Sequence, residues 1–502
     1  MSALLAQATG ITAPIRFPAV EYSVLLPEII LVVGALVVLL IASLSRRSHG
    51  AGLYAGLTVV TGLASLGAAA NVWDRVSEQG PSTAVASAVA VDGFSAFFAI
   101  LIACAVVLGA LLGESYVRRE QLPAPEFFVL VLLSASGGML MAAANDLIVL
   151  FLGLEILSIA LYVLAGYHGR RESSSEAAMK YFVLGAFSSA IFLYGIALTY
   201  GATGTTNLGE IATFLTKNTL TDNGILLGGM GLMLVGLGFK VAAVPFHAWT
   251  PDVYQGSPSP VTGFMAAAAK AAGFAGLLRV FFSAFGSEQL DWRPVVFVLA
   301  VLTLVVGSVL AVVQTDIKRM LAYSSISHAG YVLVGLQAAT DSGVAGSLFY
   351  LLAYTFMVLG SFAVVTLVGR RGDDRHALDD YRGLSSKRPG LALAFTVFLM
   401  AQAGVPFTSG FLAKFYVISA AVDRHSYALA IIAMLGAAVA AFFYLRVIVL
   451  MYGPPAEGDE QTSIPVPRSA GIALGIALAF TLVVGILPAP VIDFARHATL
   501  LF

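Results

Sequence analysis

FKVAAVPFHAWTPDVYQGSP, residues 239–258, decides the fold class of this chain. Lys240 stands at the end of an apolar stretch, and Pro245 follows soon after it. Proline frees backbone groups in a helix, and inside a bilayer such groups survive only where they face protein or a watery cavity. The stretch therefore predicts a transmembrane helix that breaks inside the protein, with a charged side chain beside the break.

The composition of the whole chain is typical of a membrane protein. Of its 502 residues, 59% are hydrophobic and 11% are charged, whereas soluble domains carry about 25% charged residues. The net charge of −1 gives no reason to expect nucleic acid as a partner. The single cysteine, Cys104, excludes a disulfide framework and a cysteine-ligated cluster within the chain, and the scattered histidines predict no metal site.

Runs of about 20 apolar residues predict about fourteen transmembrane helices. The predicted spans are residues 24–44, 51–72, 93–113, 124–143, 145–166, 176–201, 223–246, 260–284, 293–314, 320–339, 343–369, 389–421, 427–451 and 469–489. The seventh span ends at Pro245, and Pro406 breaks the twelfth. We therefore predict an all-α polytopic membrane protein in which helices 7 and 12 are broken.

Lysine and arginine residues are concentrated in the loops that follow odd-numbered spans, above all in the loop after the eleventh. Loops rich in these residues stay in the cytoplasm. The bias therefore predicts that the odd-numbered loops are cytoplasmic and that both termini lie outside.

Three short strings recur in the same order, each one mapping a span onto the span five places later. The pairs are residues 162–164 with 331–333, 244–246 with 405–407, and 278–280 with 445–447. Because five is odd, the two units would cross the membrane in opposite directions, which is the inverted repeat of many transporters. We predict a three-helix segment (1–123), a first five-helix repeat (124–290), a second, inverted repeat (291–452) and a C-terminal helix (453–502). Chance similarity between apolar helices is the alternative.

Among the charged residues of the predicted spans, Glu155 and Lys270 lie near mid-membrane, and Lys240 and Lys414 lie near the two helix breaks. Each costs about 2.5–3.5 kcal/mol at mid-membrane on insertion scales, so such residues mark function by default. A lysine holds its proton more tightly beside a carboxylate than in dry surroundings. Movement of Glu155 relative to Lys240 could therefore load and unload that lysine, and lysines in series could pass protons through bound water. Structural ion pairs between helices are the alternative.

Other ionisable residues give weaker predictions. Lys180 lies one turn after Glu176 near a helix end, so a surface ion pair and a place in the relay are both open. His328 could relay protons between the two halves or be an ordinary core histidine. Arg279 and Arg446 lie near helix ends, where their side chains could reach the membrane surface.

Four stretches carry a resemblance to a known family. Residues 239–258 are similar to a signature of the antiporter-like membrane subunits of respiratory complex I, the NADH:quinone oxidoreductase. Residues 152–158 (LGLEILS), 176–182 (EAAMKYF) and 404–415 (GVPFTSGFLAKF) resemble further stretches of that family. Within the family, the sequence DVYQG at 252–256 resembles that of the N-type subunits.

The resemblance implies a role for each buried residue. Glu155 and Lys240 would form an ion pair that responds to quinone reduction elsewhere in the complex. Lys270 would be the central relay lysine, and Lys414 the terminal lysine of the outward half-channel. His328 would lie between these two lysines.

The resemblance also implies partners and location. The chain would be a proton-translocating subunit in a bacterial inner (cytoplasmic) membrane, in contact with lipid and with the other membrane and peripheral subunits. It would hold no cofactor or metal itself, because NADH, FMN, iron–sulfur clusters and quinone would belong to partner subunits. A subunit of a multi-subunit cation/proton antiporter, a free-standing solute transporter and a membrane scaffold are the alternatives.

Overall fold

A computed structural model describes residues 20–45, 49–218, 223–455, 464–498 and 500. Its helices are α1 (Leu26–Leu44), α2 (Ala51–Gln79), α3 (Gly93–Glu120), α4 (Ala124–Ala143), α5 (Leu147–Ala165), α6 (Glu172–Thr203), α7 (Leu208–Lys217), α8 (Gly224–Val241), α9 (Trp249–Gly256), α10 (Ser259–Ala284), α11 (Gln289–Val312), α12 (Ile317–Ala338), α13 (Asp341–Val368), α14 (Leu384–Lys387), α15 (Pro389–Ala403), α16 (Ser409–Asp423), α17 (Tyr427–Tyr452), α18 (Arg468–Ile486) and α19 (Ala489–His497). The chain ends, for which we predict an outside location, lie beyond the described residues.

The all-α polytopic prediction is confirmed. Twelve helices in the described part of the chain are long and apolar enough to cross a membrane. The other two predicted spans depart from this pattern. The tenth corresponds to α12, which is less apolar because it carries Lys318, Arg319 and His328. The twelfth corresponds to α15 and α16, a pair of 15-residue helices. A small antiparallel hairpin, β1 (Ser82–Ala84) and β2 (Val89–Val91), was not predicted.

Both predicted helix breaks are present. Helix α8 ends at Val241, and Ala242 has a φ of 62°. Helix α15 ends at Ala403, where Gly404 has a φ of 94°, a left-handed conformation that glycine adopts readily. Lys240 is therefore the second-last residue of a helix, while Lys414 lies in the helix that follows a break.

Helices α10 and α13 occupy the centre of the bundle, and the apolar windows of both are buried throughout. Side chains on the outer helices are large, apolar and exposed, for example Phe187 on α6 and Val449 on α17. In a membrane, exposed apolar faces of this kind contact lipid or neighbouring proteins. The central helix α10 carries Lys270 between two wide π-helical segments, Met265–Ala269 and Val280–Ala284.

Matched contacts occur in the two predicted repeats. A Cβ added to Gly137 of α4 would lie 2.5 Å from the backbone nitrogen of Leu157, and one added to Gly307 of α11 would lie 2.5 Å from that of Ser327. Both contacts allow adjacent helices to approach closely. The next helices also begin alike, because Asp146 caps α5 and Asp316 caps α12 through side-chain hydrogen bonds. These pairs support the repeat interpretation, although the predicted segment boundaries stay a prediction.

Candidate functional site

Lys240 lies buried where α8 ends, and its amine binds two hydroxyl groups. Nζ donates to Oγ of Ser158 on α5 at 2.8 Å and to the hydroxyl of Tyr181 on α6 at 3.3 Å. Ser158 Oγ in turn donates to the Leu154 carbonyl at 2.5 Å, which leaves its lone pairs free to accept from the lysine. The lysine is thus held by neutral groups.

The direct ion pair that the resemblance implies between Glu155 and Lys240 is not formed. The two groups are within electrostatic range of each other. However, Glu155 Oε1 is buried and has no hydrogen-bond partner among the described residues. The physical reason is the position of Ser158, which lies one helical turn further along α5 and takes the amine instead. Glu155 is therefore near Lys240 but is free to accept another donor.

The stem of Lys240 packs against the Lys270 helix at Gly273. A Cβ added to Gly273 would lie 3.1 Å from Cγ of Lys240 and 3.0 Å from a methyl group of Val241. Gly273 lies one turn beyond Lys270 on α10. The absence of a side chain at this glycine therefore lets Lys240 lie close to the Lys270 helix.

Gly273→Val is expected to displace Lys240 and to lower several-fold the proton transport that the resemblance predicts for the assembled protein. Overpacking of this kind costs about 1–3 kcal/mol. Gly231→Val is the matched control, since an added Cβ at Gly231 meets nothing within 4 Å. Transport is measured by dye quenching in proteoliposomes at equal protein content. Equal transport by the two variants would contradict the packing argument.

Lys270 is buried and binds α12. Its amine donates to the Ser325 carbonyl at 2.7 Å and also contacts Oγ of the same residue. The hydroxyl of Tyr254 lies 3.5 Å from Ser325 Oγ. A π-helical segment comes directly before Lys270, and such segments are frequent at functional sites. Ser325 is therefore the hydrogen-bond acceptor of Lys270.

His328 joins two tyrosines inside the second half. Nδ1 lies 2.6 Å from the Tyr350 hydroxyl, and Nε2 lies 3.2 Å from the Tyr444 hydroxyl. Tyr444 also contacts Oγ of Ser324, the neighbour of Ser325. Adjacent serines of α12 thus face Lys270 on one side and the histidine network on the other.

Lys414 lies beyond this network. Its amine donates to the carbonyl of Ala403, the last residue before the helix break, at 2.8 Å. It also lies 4.8 Å from the ring centre of Tyr331, whose ring stacks on that of Tyr350. His328 is connected towards Lys270 through Tyr444 and Ser324, and towards Lys414 through the stacked rings of Tyr350 and Tyr331. The histidine therefore lies between the two lysines, and its place in a relay stays a prediction.

Lys180 lies in surface ion pairs. Its amine lies 2.7 Å from a carboxylate oxygen of Glu176 and 2.7 Å from one of Asp252, which also binds Arg319 at 2.6 Å. Partial burial works against the charged form of Asp252, but hydrogen bonds from Lys180 and Arg319 outweigh it and lower the pKa of this carboxyl group. The cluster borders an open pocket of about 420 Å³. The structure favours the surface ion pair over the relay for Lys180.

The hydroxyl partners of the lysines and of His328 are not among the predicted site residues. They are Ser158, Tyr181, Ser325, Tyr350 and Tyr444. One signal could have found part of this set. Ser158 follows Glu155 by three residues and Ser325 precedes His328 by three, which places each serine on the same helix face as a predicted site residue.

The expectation that Arg279 reaches the membrane surface is wrong. Its side chain is 1% exposed, and its guanidinium binds both oxygens of Asp92, at 2.8 and 2.9 Å. Arg446 does lie at the surface, where it donates to the carbonyls of Val312 and Gln314. The difference arises because Asp92 caps the neighbouring helix α3 and offers a buried counter-charge.

Residues 144–440 match the family described as "NADH:quinone oxidoreductase/Mrp antiporter, TM". NADH-quinone oxidoreductase subunit N of Trichlorobacter lovleyi is 46% identical over 483 residues, which cover 96% of this chain and 98% of that protein. The chain belongs to the subunit N family of NADH-quinone oxidoreductases. This family assignment agrees with the resemblance carried by residues 239–258.

Chains similar to this subunit N family member are present in two solved structures of larger complexes. A chain in respiratory complex I from Thermus thermophilus with bound aureothin is 34% identical, with a TM-score of 0.80, and the match covers 94% of this chain and 100% of that one. A chain of the Mrp complex from Dietzia sp. matches with a TM-score of 0.82 over 95% of this chain and 96% of that one. Its identity of 22% shows a shared fold alone.

Within the described residues, no group of three or more histidine, cysteine, aspartate or glutamate side chains is arranged to hold a metal ion.

Proposed function

We propose that this subunit N family member moves protons across a bacterial inner membrane as part of an NADH:quinone oxidoreductase. Quinone reduction elsewhere in the complex would supply the energy. The observation that carries the proposal is the row of buried amines, Lys240, Lys270 and Lys414, each within reach of an exchangeable hydroxyl or aromatic group. Family membership supports the assignment to this enzyme.

The first step would take place at Lys240. A lysine holds its proton more tightly beside a carboxylate than beside a neutral hydroxyl. Lys240 rests on Ser158 and Tyr181, while Glu155 Oε1 has an open acceptor position. A small movement of α5 would exchange Ser158 for Glu155 as the partner and load the lysine. The reverse movement would release the proton.

Later steps would use the network on α12. A proton on Lys270 can pass to Ser325 and, through water, to Ser324, Tyr444 and His328. Lys414 would then receive it and deliver it to the opposite side. Because contacts of His328 lead towards Lys270 on one side and Lys414 on the other, a charge on one of these groups would disfavour a second charge nearby, which would make the transfer sequential.

The repeats, the location and the partners belong to the same proposal. Residues 124–290 and 291–452 would form the two inverted units, with odd-numbered loops in the cytoplasm and both termini outside. NADH, FMN, iron–sulfur clusters and quinone would bind to partner subunits, and this chain would bind none of them. Lys180 would serve the relay only indirectly, through its ion pair with Asp252.

The proposal is tested first by purification of the tagged chain in mild detergent. Co-purification of flavin and iron–sulfur subunits with NADH–quinone activity is expected. Recovery of the chain alone, or with partners that exchange sodium for protons without NADH, would contradict it. The second outcome would favour the cation/proton antiporter, the alternative that the shared family and fold keep in view.

Lys240→Met is expected to lower NADH-driven proton uptake by about tenfold or more, since a proton carrier is removed from the path. Uptake is followed by dye quenching in proteoliposomes. Lys217→Met is the control because Lys217 is an exposed lysine at the end of α7. Uptake by the Lys240 variant at the control level would remove this lysine from the mechanism.

A further inference from the structure

Asp373 lies in the loop between α13 and α14, and its side chain is fully buried. Its φ of 49° falls in the left-handed region, and the nearby Gly372 has a φ of 94°. A non-glycine residue in this region is uncommon and persists only where its surroundings hold it. The contacts of the side chain therefore decide the position of this loop.

The carboxylate of Asp373 binds the first half of the protein at two helix starts. Arg171, directly before α6, lies 3.0 Å from Oδ2. Ser259, the first residue of α10, donates its backbone N–H to Oδ2 at 3.2 Å and its hydroxyl to Oδ1 at 2.7 Å. Asp373 thus holds the start of the helix that carries Lys270.

The same carboxylate binds the second half and the N-terminal segment. The ring of His376 lies 3.1 Å from Oδ1, the buried amine of Lys318 lies 3.9 Å from Oδ2, and the hydroxyl of Tyr116 on α3 donates to Oδ2 at 3.3 Å. Burial works to raise the pKa of Asp373, but Lys318, His376 and Arg171 hold it well below its ordinary value. The carboxylate is therefore ionised at neutral pH.

The backbone just before α10 is held by neighbouring side chains as well. Lys318 Nζ donates to the Ser257 carbonyl at 2.5 Å, and Ser174 Oγ donates to the Gly256 carbonyl at 2.8 Å. Lys318 therefore joins the Asp373 cluster to the broken segment. The starts of α10 and α12 are connected through one buried ionic cluster.

We propose that Asp373 is a positioning residue that sets where Lys270 of α10 meets Ser325 of α12. Ser259 lies three helical turns before Lys270, and Lys318 lies two turns before Ser325, about 16 and 10 Å along the respective helices. Both helix starts are tied to Asp373, and the two helices meet again at the Lys270–Ser325 contact. This inference rests on the proposed relay function but concerns a residue outside the relay.

Removal of the charge would leave the partly buried Arg171 and the buried Lys318 without this counter-charge. Repulsion between these cations and weaker binding of Ser259 would let the starts of α10 and α12 move apart, and the Lys270–Ser325 contact would shift. The shifted contact would alter the proton affinity of Lys270 and lower pumping, although Asp373 itself does not contact Lys270 or Ser325.

The test compares Asp373→Asn with Asp374→Asn in the complete complex in proteoliposomes. Asp374 is the exposed neighbour on the same loop and is the matched control. We expect Asp373→Asn to lower protons taken up per NADH oxidised by about twofold or more and to displace the pH profile of uptake, on the scale of mutations that alter coupling. Asp374→Asn should keep the parent ratio and profile.

A parent ratio and parent pH profile in Asp373→Asn overturn the inference. If that variant does not assemble, the Asp373→Asn/Lys318→Gln double variant, which removes one charge of each sign, is measured instead. An altered ratio or profile in the double variant supports the inference. Parent behaviour, or failure of the double variant to assemble, overturns it. Absence of NADH-driven uptake in the parent complex would instead refute the proposed function.

Discussion

Lys270→Met is expected to abolish proton uptake through this protein while leaving the chain assembled. Methionine matches the length and apolar stem of lysine, so the buried site remains filled, and only the proton carrier and its bonds to Ser325 are lost. A missing carrier in a serial path stops transfer, so the effect should be at least as large as for any other single relay residue.

The measurement is NADH-driven dye quenching in proteoliposomes, with Lys270→Arg as a second variant. Arginine keeps a positive charge but does not release its proton, so uptake should be lost in this variant as well. Normal uptake in the Lys270→Arg variant would show that Lys270 contributes charge rather than a transferable proton.

Among the variants considered, Arg279→Leu is expected to lower the free energy of unfolding the most. The arginine is buried, forms two hydrogen bonds to Asp92 and donates a third to the Ala142 carbonyl at 2.7 Å. Removal of one partner from a buried ion pair leaves the other charge uncompensated and costs about 3–5 kcal/mol. The free energy of unfolding is measured by denaturant titration in detergent micelles.

Arg446→Leu is the control for this prediction. Arg446 stands at the corresponding position of the second predicted repeat, but it is exposed, and its partners among the described residues are backbone carbonyls. Its replacement should change the free energy of unfolding by about 1 kcal/mol or less. Equal losses in the two variants would show that the Asp92–Arg279 pair does not stabilise the fold.

Much of the fold follows from one-dimensional patterns. Apolar runs, Pro245 and Pro406 predict the spans and both breaks because each feature acts within one helix. The hairpin of residues 82–91 was missed because its strands have three residues each and show little alternation of polar and apolar residues.

The cluster around Asp373 was missed for another reason. Its partners come from distant parts of the chain. From sequence alone, a charged residue in a loop is expected to be exposed to solvent, and only the tertiary structure shows that it is buried.

In the candidate site, too, some residues can be predicted from the sequence and others cannot. Glu155, Lys240, Lys270 and Lys414 can be found from sequence because a charge within an apolar span is rare. Their partners cannot, because serine and tyrosine are common in such helices and only packing selects the ones that bind. Packing brings Ser158, and not the expected Glu155, into hydrogen-bond contact with Lys240.

The most direct measurement is the number of protons taken up per NADH oxidised by proteoliposomes that contain the complete complex. The parent is compared with a variant in which Lys240, Lys270 and Lys414 are all methionine. A relay through this chain predicts a lower ratio in the variant, or loss of both activities together if pumping and electron transfer are strictly coupled. A parent ratio at the parent rate of NADH oxidation would contradict the account.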